Sequence, residues 1–289
     1  MPITIPSAAV ETFNATSALS HSVNLSAASV GDVRVIQING SPDGTGTVGN
    51  ISLPAGWTQA VAQTTTGAAS NSMHAVFYRQ VQDGDPSSIT VTHTQTQTIG
   101  AICATYAGVH SAVLDVTPPA MTTGAGNAVS PSITTVTNGC RILRFAINDG
   151  APGFTDAAIP AGTTLRGTMA NNPPSNGMNM GFADAEQATA GATGTATWSG
   201  GASEEYVAAT IALRPITVTY EQEGYRFRND DGSESGATWK AAQDVAAETP
   251  KNTNIRIRVL SNATGDGAAA TATLQFKRSD EAASEWRNV

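Results

Sequence analysis

The feature that most constrains the fold is a series of short apolar runs of strand length, separated by turn-forming residues. Val, Ile, Thr, Phe and Tyr recur in these runs, and several alternate apolar with polar residues, as half-buried strands do. Dipeptides such as Asn39-Gly40 and Asp83-Gly84 lie between them and favour turns. The runs are VRVIQI (33–38), HAVFYRQV (74–81), ITVTHT (89–94), AICATYAGV (101–109), CRILRFAI (140–147), MNMGFADA (178–185), TATW (195–198) and VAATIAL (207–213).

No window shows the period of an amphipathic helix, so the sequence predicts an all-β chain. The distribution of charge then divides the chain into two parts. Residues 1–215 hold six basic and twelve acidic residues, whereas residues 216–289 hold nine basic and eleven acidic residues in about a third of the length of the first part. Pro215 ends an apolar run, where a proline would interrupt a central strand. We therefore predict an antiparallel jelly-roll sandwich over residues 1–215 and a small immunoglobulin-like β-sandwich over residues 216–289.

Strand periodicity in the second domain separates apolar from basic residues. In YRFR, Tyr225 and Phe227 share one face and the two arginines share the other. NIRIRVL repeats the pattern with Ile255, Ile257 and Val259 opposite two more arginines. The four arginines are candidates for an interface with an acidic partner surface: Arg226, Arg228, Arg256 and Arg258.

The acidic stretch NDDGSE at residues 229–234 invites a comparison with calcium-binding loops. With Gly232 as the sixth residue of an EF-hand loop, Phe227 would be first and Thr238 twelfth, and neither fits. The Asp-Gly dipeptide after an alternating strand favours a hairpin turn instead. An irregular calcium site stays open as an alternative, built from the carboxylates Asp230, Asp231 and Glu234.

Catalytic patterns are weak in this sequence. Glu204 and Glu205 are neighbours, and neighbours in an extended strand point to opposite faces, whereas glycoside hydrolysis uses two facing carboxylates. The histidines fall in separate segments without metal-binding spacing. They are His21, His74, His93 and His110. Without a nucleophile elbow or nucleotide-binding loop either, we predict that the protein is not an enzyme and uses no cofactor or metal.

Other classes of partner are also disfavoured by composition. The net charge of -8 argues against nucleic acid, because binding phosphates depends on clustered Lys and Arg. No apolar run is long enough for a membrane helix, and the N-terminus lacks the pattern of a signal peptide. Cys103 and Cys140 lie in apolar contexts, which predicts buried thiols. Trp57 and Trp198 are candidates for glycan binding, although a packing role is the alternative for each.

Six segments of the first domain resemble the lectin-like, concanavalin-type jelly-roll modules of phage structural proteins and bacterial surface proteins. In order they are VGDVRVIQI, LPAGWTQ, AVFYRQVQDGD, ICATYAGV, PSITT and ATIALRP. The second domain is similar to a small β-sandwich module found at the ends of tailed-phage virion proteins. The segments that carry this likeness are YEQEGYRFRNDDGSESGATWKAAQDV, NTNIRIRVLSNATGDGAAATATLQFK and EWRNV. Both resemblances imply display, assembly or ligand binding.

These resemblances lead to the hypothesis of a non-enzymatic structural protein on the surface of a tailed-phage virion, made in the host cytoplasm. A capsid decoration or head-fibre protein would bind other virion proteins, such as the major capsid protein or tail proteins, as a homo-oligomer. The alternative is a receptor-binding or carbohydrate-binding module of a tail fibre or bacterial surface protein, directed at a host surface glycan. A depolymerase is disfavoured because no facing carboxylate pair is evident.

Overall fold

The structure is a computed structural model, and it describes most of the chain. The described residues are 2–42, 47–66, 72–148, 154, 158–171, 178–199, 205–233, 235–250, 252–265, 275–276 and 287–288. Within them the protein is all-β with antiparallel strand pairs, which confirms the predicted fold class. The chain divides into two compact units, Met1–Ile216 and Thr217–Val289.

The first sheet of the first unit has the strand order β1-β6-β2-β5-β4, with β3 paired to β6. Its strands are β1 (Val10–Asn24), β2 (Val33–Pro42), β3 (Ile51–Ser52), β4 (Thr58–Thr65), β5 (Met73–Gln80) and β6 (Ser88–Tyr106). β6 is long, and both of its halves contribute to one apolar cluster, through Ile89 and Val91 and through Ile99 and Ala101. Its register with β1 is interrupted between Asn14 and Ser20, and irregularities of this kind bend a strand.

The second sheet has the order β11-β12-β10-β14-β7, with β8 paired to β14. Its strands are β7 (Val109–Leu114), β8 (Thr122–Ala125), β10 (Cys140–Asn148), β11 (Thr164–Asn171), β12 (Met178–Gln187) and β14 (Glu205–Pro215). A separate two-stranded pair is formed by β9 (Ala128–Ser130) and β13 (Ala196–Trp198).

The main core lies between the two sheets because alternate side chains of each strand face inward. Val35 of β2 and Ile102 of β6 meet Leu143 and Phe145 of β10 and Phe182 of β12 in this core. Apolar residues also cover the outer face of each sheet, so both sheets are buried on two sides. Such packing fits a β-sandwich, while the jelly-roll connectivity stays a prediction.

In the second unit, β15 (Val218–Arg228) pairs with β16 (Arg256–Gly265), and β17 (Gln275–Phe276) pairs with β18 (Arg287–Asn288). The segment after the acidic loop returns along the other edge of β15, where the Lys240 amide donates to the Phe227 carbonyl at 3.0 Å. The immunoglobulin-like assignment of this unit stays a prediction. Nowhere in the described residues is there a helix with the length and apolar character to span a membrane.

Candidate functional site

The four predicted interface arginines lie opposite one another on neighbouring strands. β15 and β16 are antiparallel, and their register pairs Arg226 with Arg258 and Arg228 with Arg256. Directly paired residues of two strands point to the same side of a sheet. We call this set, together with Trp239, the arginine face.

Trp239 is the aromatic centre of the arginine face. The guanidinium carbons of Arg226 and Arg228 lie 4.2 and 4.8 Å from the centroid of its ring, in the range of cation–π contacts. The ring is 39% exposed, so part of the indole is open to a partner. Trp239 was not among the candidates predicted from the sequence, although its place beside a turn and two alternating arginines was a usable signal.

The arginines of this face differ in exposure, so the four candidate interface residues are not equally accessible to a partner. Arg228 is buried and donates to the Ala237 carbonyl, so its main role is to pack the hairpin. Arg226 is half-buried and donates from Nε to the Ala241 carbonyl at 2.9 Å. Arg258 is exposed and is the arginine most accessible to a partner.

The carboxylates beside the arginine face are engaged with protein groups. Asp230 accepts from Nε of Arg256 at 2.7 Å. Asp231 accepts from the Thr238 amide at 2.9 Å and from the Thr238 hydroxyl, and these hydrogen bonds lower its pKa. Glu234, the third carboxylate of the alternative calcium site, lies outside the described residues. Across the described ranges, no group of three or more His, Cys, Asp or Glu side chains is placed to hold a metal ion.

The described residues between Asn229 and Thr238 belong to the turn of a hairpin, as their sequence favours. The Asn229 amide donates to the Thr238 carbonyl at 3.0 Å, and the Asn229 side chain donates to the Thr238 hydroxyl at 2.9 Å. Asp231 closes the loop through Thr238, so the acidic stretch stabilises the return of the chain. This return places Trp239 beside Arg228 and builds the arginine face.

A depression of about 400 Å³ opens beside Trp239. Its lining includes Tyr225, Arg226, Trp239 and Arg258. Two guanidinium groups next to aromatic rings suit a carboxylate, because arginine donates to both oxygens of a carboxylate and the rings cover the apolar part of the side chain. The arrangement is one for binding an acidic group.

Trp57, the first glycan candidate, lines a different pocket in the first unit. The pocket has a volume of about 340 Å³ and also includes Arg34, Arg79 and Asp85. Arg79 donates from Nε to Asp85 at 2.8 Å and makes a second hydrogen bond from Nη2, which raises the pKa of Arg79 and lowers that of Asp85. A half-buried indole beside fixed polar groups is a geometry that can stack on a sugar ring.

Trp198, the second glycan candidate, is fully buried. Its Nε1 donates to the Ser130 hydroxyl at 2.9 Å, and its ring lies 5.3 Å from the ring of Phe154. No face of the indole is open to a sugar. Trp198 is therefore a packing residue, which corrects its place among the glycan candidates.

Two of the four histidines lie close together in the structure, although they are far apart in the sequence. The rings of His21 and His93 lie 5.3 Å apart at the bend of β6. Gln97 connects them. Its backbone carbonyl oxygen lies 2.7 Å from His21 Nε2, and its side-chain nitrogen Nε2 lies 2.9 Å from His93 Nδ1. Burial is the main cause that lowers the pKa of His93 to about 4. His74 and His110 lie elsewhere in the unit.

A buried ionic network in the first unit was not predicted from the sequence. Asp184 of β12 is fully buried and accepts from Arg166 at 2.7 and 2.8 Å, from Arg141 at 2.5 Å and from the Tyr106 hydroxyl at 2.7 Å. Burial is the first cause that raises the pKa of Tyr106. An aspartate within the apolar run MNMGFADA was the available signal, since a buried charge requires partners.

The other residues considered from the sequence are a pair of glutamates and the two cysteines. Glu205 begins β14 opposite Ala125 of β8, and its neighbour Glu204 lies outside the described residues. Cys103 and Cys140 are buried free thiols, as their contexts predict.

No protein-family model, curated protein or solved structure matches this chain.

Proposed function

We propose that this protein is a non-enzymatic structural component on the surface of a tailed-phage particle, as a capsid decoration or head-fibre protein. It acts by protein–protein binding and display, with the second unit docking on an acidic surface of another virion protein. The likeness of both domains to phage virion modules supports this proposal at the level of sequence. The all-β architecture is compatible with it, although a fold alone does not define a function.

The observation that carries the proposal is the arginine face. The chain has a net charge of -8, yet Arg226 lies across from Arg258, and Arg228 from Arg256, around a partly exposed indole. Like charges directly opposite one another destabilise a sheet, so an acidic partner would relieve that repulsion. Aromatic and arginine side chains are also the residues that most often dominate binding energy in protein interfaces.

Charge reversal of the arginine face tests the proposed docking. Arg258→Glu should reduce incorporation of the protein into particles, because it replaces the most accessible cation with a carboxylate. Incorporation is measured by quantitative mass spectrometry of purified virions assembled with each variant. Glu221→Lys is the control for charge reversal as such, since it reverses one exposed charge of β15 by two units in the opposite direction.

Incorporation that is unchanged in Arg258→Glu and in the double variant Arg226→Glu/Arg258→Glu would reject the arginine face as the docking site. The wider proposal has its own test in cryo-electron microscopy of intact particles. Ordered copies of the chain on the head or tail surface are expected. Purified virions that contain no copy of the chain would overturn the virion role altogether.

A second candidate function is glycan recognition, as in a receptor-binding module, and the Trp57 pocket favours it. Indole stacking on a sugar ring would combine there with polar contacts from Arg34 and Asp85. A glycan array should show a specific signal that is lost in Trp57→Ala and retained in Thr58→Ala, which alters the exposed neighbour. A signal equal in both variants would exclude the pocket.

A further inference from the structure

A cleft of about 370 Å³ opens on the outer face of the second sheet, and no function above explains it. Ile142 and Arg144 of β10 form part of its floor. They alternate with Leu143 and Phe145, which belong to the main core, so they point away from that core. Ala185 of β12 lies opposite Ile142 in the register of the two strands and extends the floor.

Two short segments form the walls of this cleft, and hydrogen bonds hold both in place. One wall is the turn 160–163, in which the amide and the hydroxyl of Thr163 donate to the Pro160 carbonyl at 3.2 and 2.6 Å. The other wall leads into β13, and its Thr193 amide donates to the Ile133 carbonyl at 2.9 Å. The cleft is therefore preformed. Its walls carry the side chains of four threonines, Thr163, Thr193, Thr195 and Thr197.

Arg144 is the charged residue of the floor, and it is only 4% exposed. Its Nη1 donates to the Pro131 carbonyl at 2.6 Å and to the Thr210 hydroxyl at 2.8 Å. Its Nη2 donates to the Thr193 hydroxyl and the Gly194 carbonyl, both at 2.9 Å. All four acceptors are neutral oxygens. These hydrogen bonds fix the guanidinium group, but none of them neutralises its charge.

A buried arginine without a carboxylate beside it is unusual, because burying an unpaired charge is destabilising. Elsewhere in the first unit, Arg141 and Arg166 share the carboxylate of Asp184. Arg144 has no ion pair in the described part of the chain, and burial lowers its pKa to about 10. An anion bound in the cleft would supply the missing negative charge. The donor open to it is Nε–H, since arginine has five N–H groups and the four above are used.

The rest of the lining indicates what else the ligand carries. Threonine hydroxyls both donate and accept, so the walls suit a ligand with hydroxyl groups. Ile142, Pro160 and Ala185 offer apolar contact to its carbon skeleton. The exposed Glu186 also lies on the lining, and its carboxylate opposes a second negative charge. The volume is at the lower end of ligand pockets, which span roughly 300–1,000 Å³, so it suits one molecule of sugar size.

We propose that this cleft binds a small hydroxy acid, with one carboxylate beside Arg144 and several hydroxyl groups along the threonine walls. A sugar acid has this chemistry, either free or as the last residue of a glycan chain. The cleft is distinct from the arginine face, which belongs to the second unit, and from the pocket of Trp57, which packs against the first sheet. The proposal does not depend on the virion role.

The test is a titration of the full chain, followed by calorimetry for affinity and by amide NMR for location. The probes are glucuronate and gluconate as hydroxy acids, glucose as the neutral analogue, acetate as a bare carboxylate, and inorganic phosphate. At least one hydroxy acid should bind tenfold or more tightly than glucose, acetate and phosphate. The amide signals of Gly162 and Thr195 should shift, while that of Arg258 stays in place.

The methyl glycoside of glucuronate distinguishes the two sources of the acid. Its carboxylate is free and its linking position is blocked, as in the last residue of a glycan. Binding equal to that of glucuronate supports the cleft as a site for a glycan end. Binding of glucuronate or gluconate without binding of the glycoside supports a site for the free acid.

Two variants connect binding to the cleft. Ala161→Phe places a large side chain on the wall at an exposed turn position and should weaken binding by about tenfold or more. Ala188→Phe is the matched control, because Ala188 is exposed and lies off the lining, and it should bind normally. Arg144→Met keeps the aliphatic stem, and it should also lose tenfold or more, because it removes a charge-assisted hydrogen bond to the ligand.

Three results would overturn the proposal: neither hydroxy acid binds, glucose or phosphate binds as tightly as the hydroxy acids, or Ala161→Phe binds like the natural chain. Amide shifts confined to Tyr225, Trp239 and Arg258 would place the acid on the arginine face and would overturn it too. Should Arg144→Met fail to fold, Ala161→Phe and the amide shifts of the natural chain still decide the question.

Discussion

At the scale of single residues, Asp184 shows how this fold accommodates a charge in its interior. A lone buried carboxylate would be strongly destabilising, but here two guanidinium groups and a phenol hydroxyl surround it. Tyr106 lies on β6 of the first sheet and Asp184 on β12 of the second, so this hydrogen bond also links the two sheets. The network fixes how the sheets face each other.

Replacing Asp184 should therefore be among the most damaging single changes. Asp184→Asn leaves two partly buried arginines without a counter-ion, and we expect a loss of about 3–5 kcal/mol in the free energy of unfolding. Urea denaturation followed by circular dichroism measures this loss. Asp83→Asn, at an exposed loop position, should change the stability by less than about 0.5 kcal/mol. Equal effects of the two variants would contradict the structural role of the network.

His74 makes the stability depend on pH. Its pKa is about 3 in the folded protein because of burial and 6.5 in the unfolded chain. Between these values the unfolded state binds the extra proton, so stability is full above pH 6.5 and falls by about 1.4 kcal/mol for each pH unit below it. His74→Gln should reduce this slope, whereas His110→Gln should keep it. Denaturant unfolding at several pH values measures this slope in the natural chain and in the two variants. His93 is present in all three chains and adds the same pH dependence to each.

At the scale of secondary-structure elements, the β9–β13 pair covers the outer face of the second sheet. Trp198 of β13 inserts against this face, and its Nε1 bonds to Ser130 of β9. Gly181 of β12 leaves room for the indole, because a β-carbon at this position would lie 2.5 Å from the Trp198 ring. A short two-stranded pair gains its stability from this one buried side chain more than from its own hydrogen bonds.

Removing the indole should release the β9–β13 pair. Trp198→Ala is expected to cost about 3–5 kcal/mol of stability, as is usual for deleting a fully buried aromatic side chain. Thr197→Ala alters the exposed neighbour in the same strand and should have a small effect. Hydrogen exchange of the amides of β9 and β13 would show whether the loss is local. Protection that is unchanged in Trp198→Ala would refute this account.

At the scale of the whole molecule, the apolar clusters are confined to one part of the chain. The four clusters among the described residues all draw their side chains from the first unit, between Ile3 and Leu213. A unit with its own core is able to fold by itself. The second unit is where the basic residues concentrate, and it carries the proposed docking surface.

Residues 1–216 expressed alone should fold. We expect a cooperative thermal transition with the midpoint of the corresponding transition in the full chain, because the core is complete within this segment. Circular dichroism and limited proteolysis measure the transition and the protected fragment. A truncated chain that lacks a cooperative transition would show that the first unit depends on residues 217–289.

Local patterns in the sequence were sufficient to predict the all-β class, the faces of the arginines and many of the strands, although β1, β4 and β11 were not among the predicted runs. Period-two alternation is a property of neighbouring residues, so it assigns Arg226 and Arg228 to one side of β15 without knowledge of the rest of the fold. The concentration of charge after Pro215 likewise marks a boundary next to the division at Ile216. These features depend on short segments, and short segments are visible in a sequence.

Tertiary structure alone decided which of these residues are buried and which meet. Trp57 and Trp198 sit in similar local sequences, yet only Trp198 is covered by a second layer. His21 and His93, Tyr106 and Asp184, and Gln37 and Ala146 come together across long stretches of chain. Burial and contact depend on which sheets pack against each other. That packing results from interactions along the whole chain, and the local alternation of apolar and polar residues does not encode it.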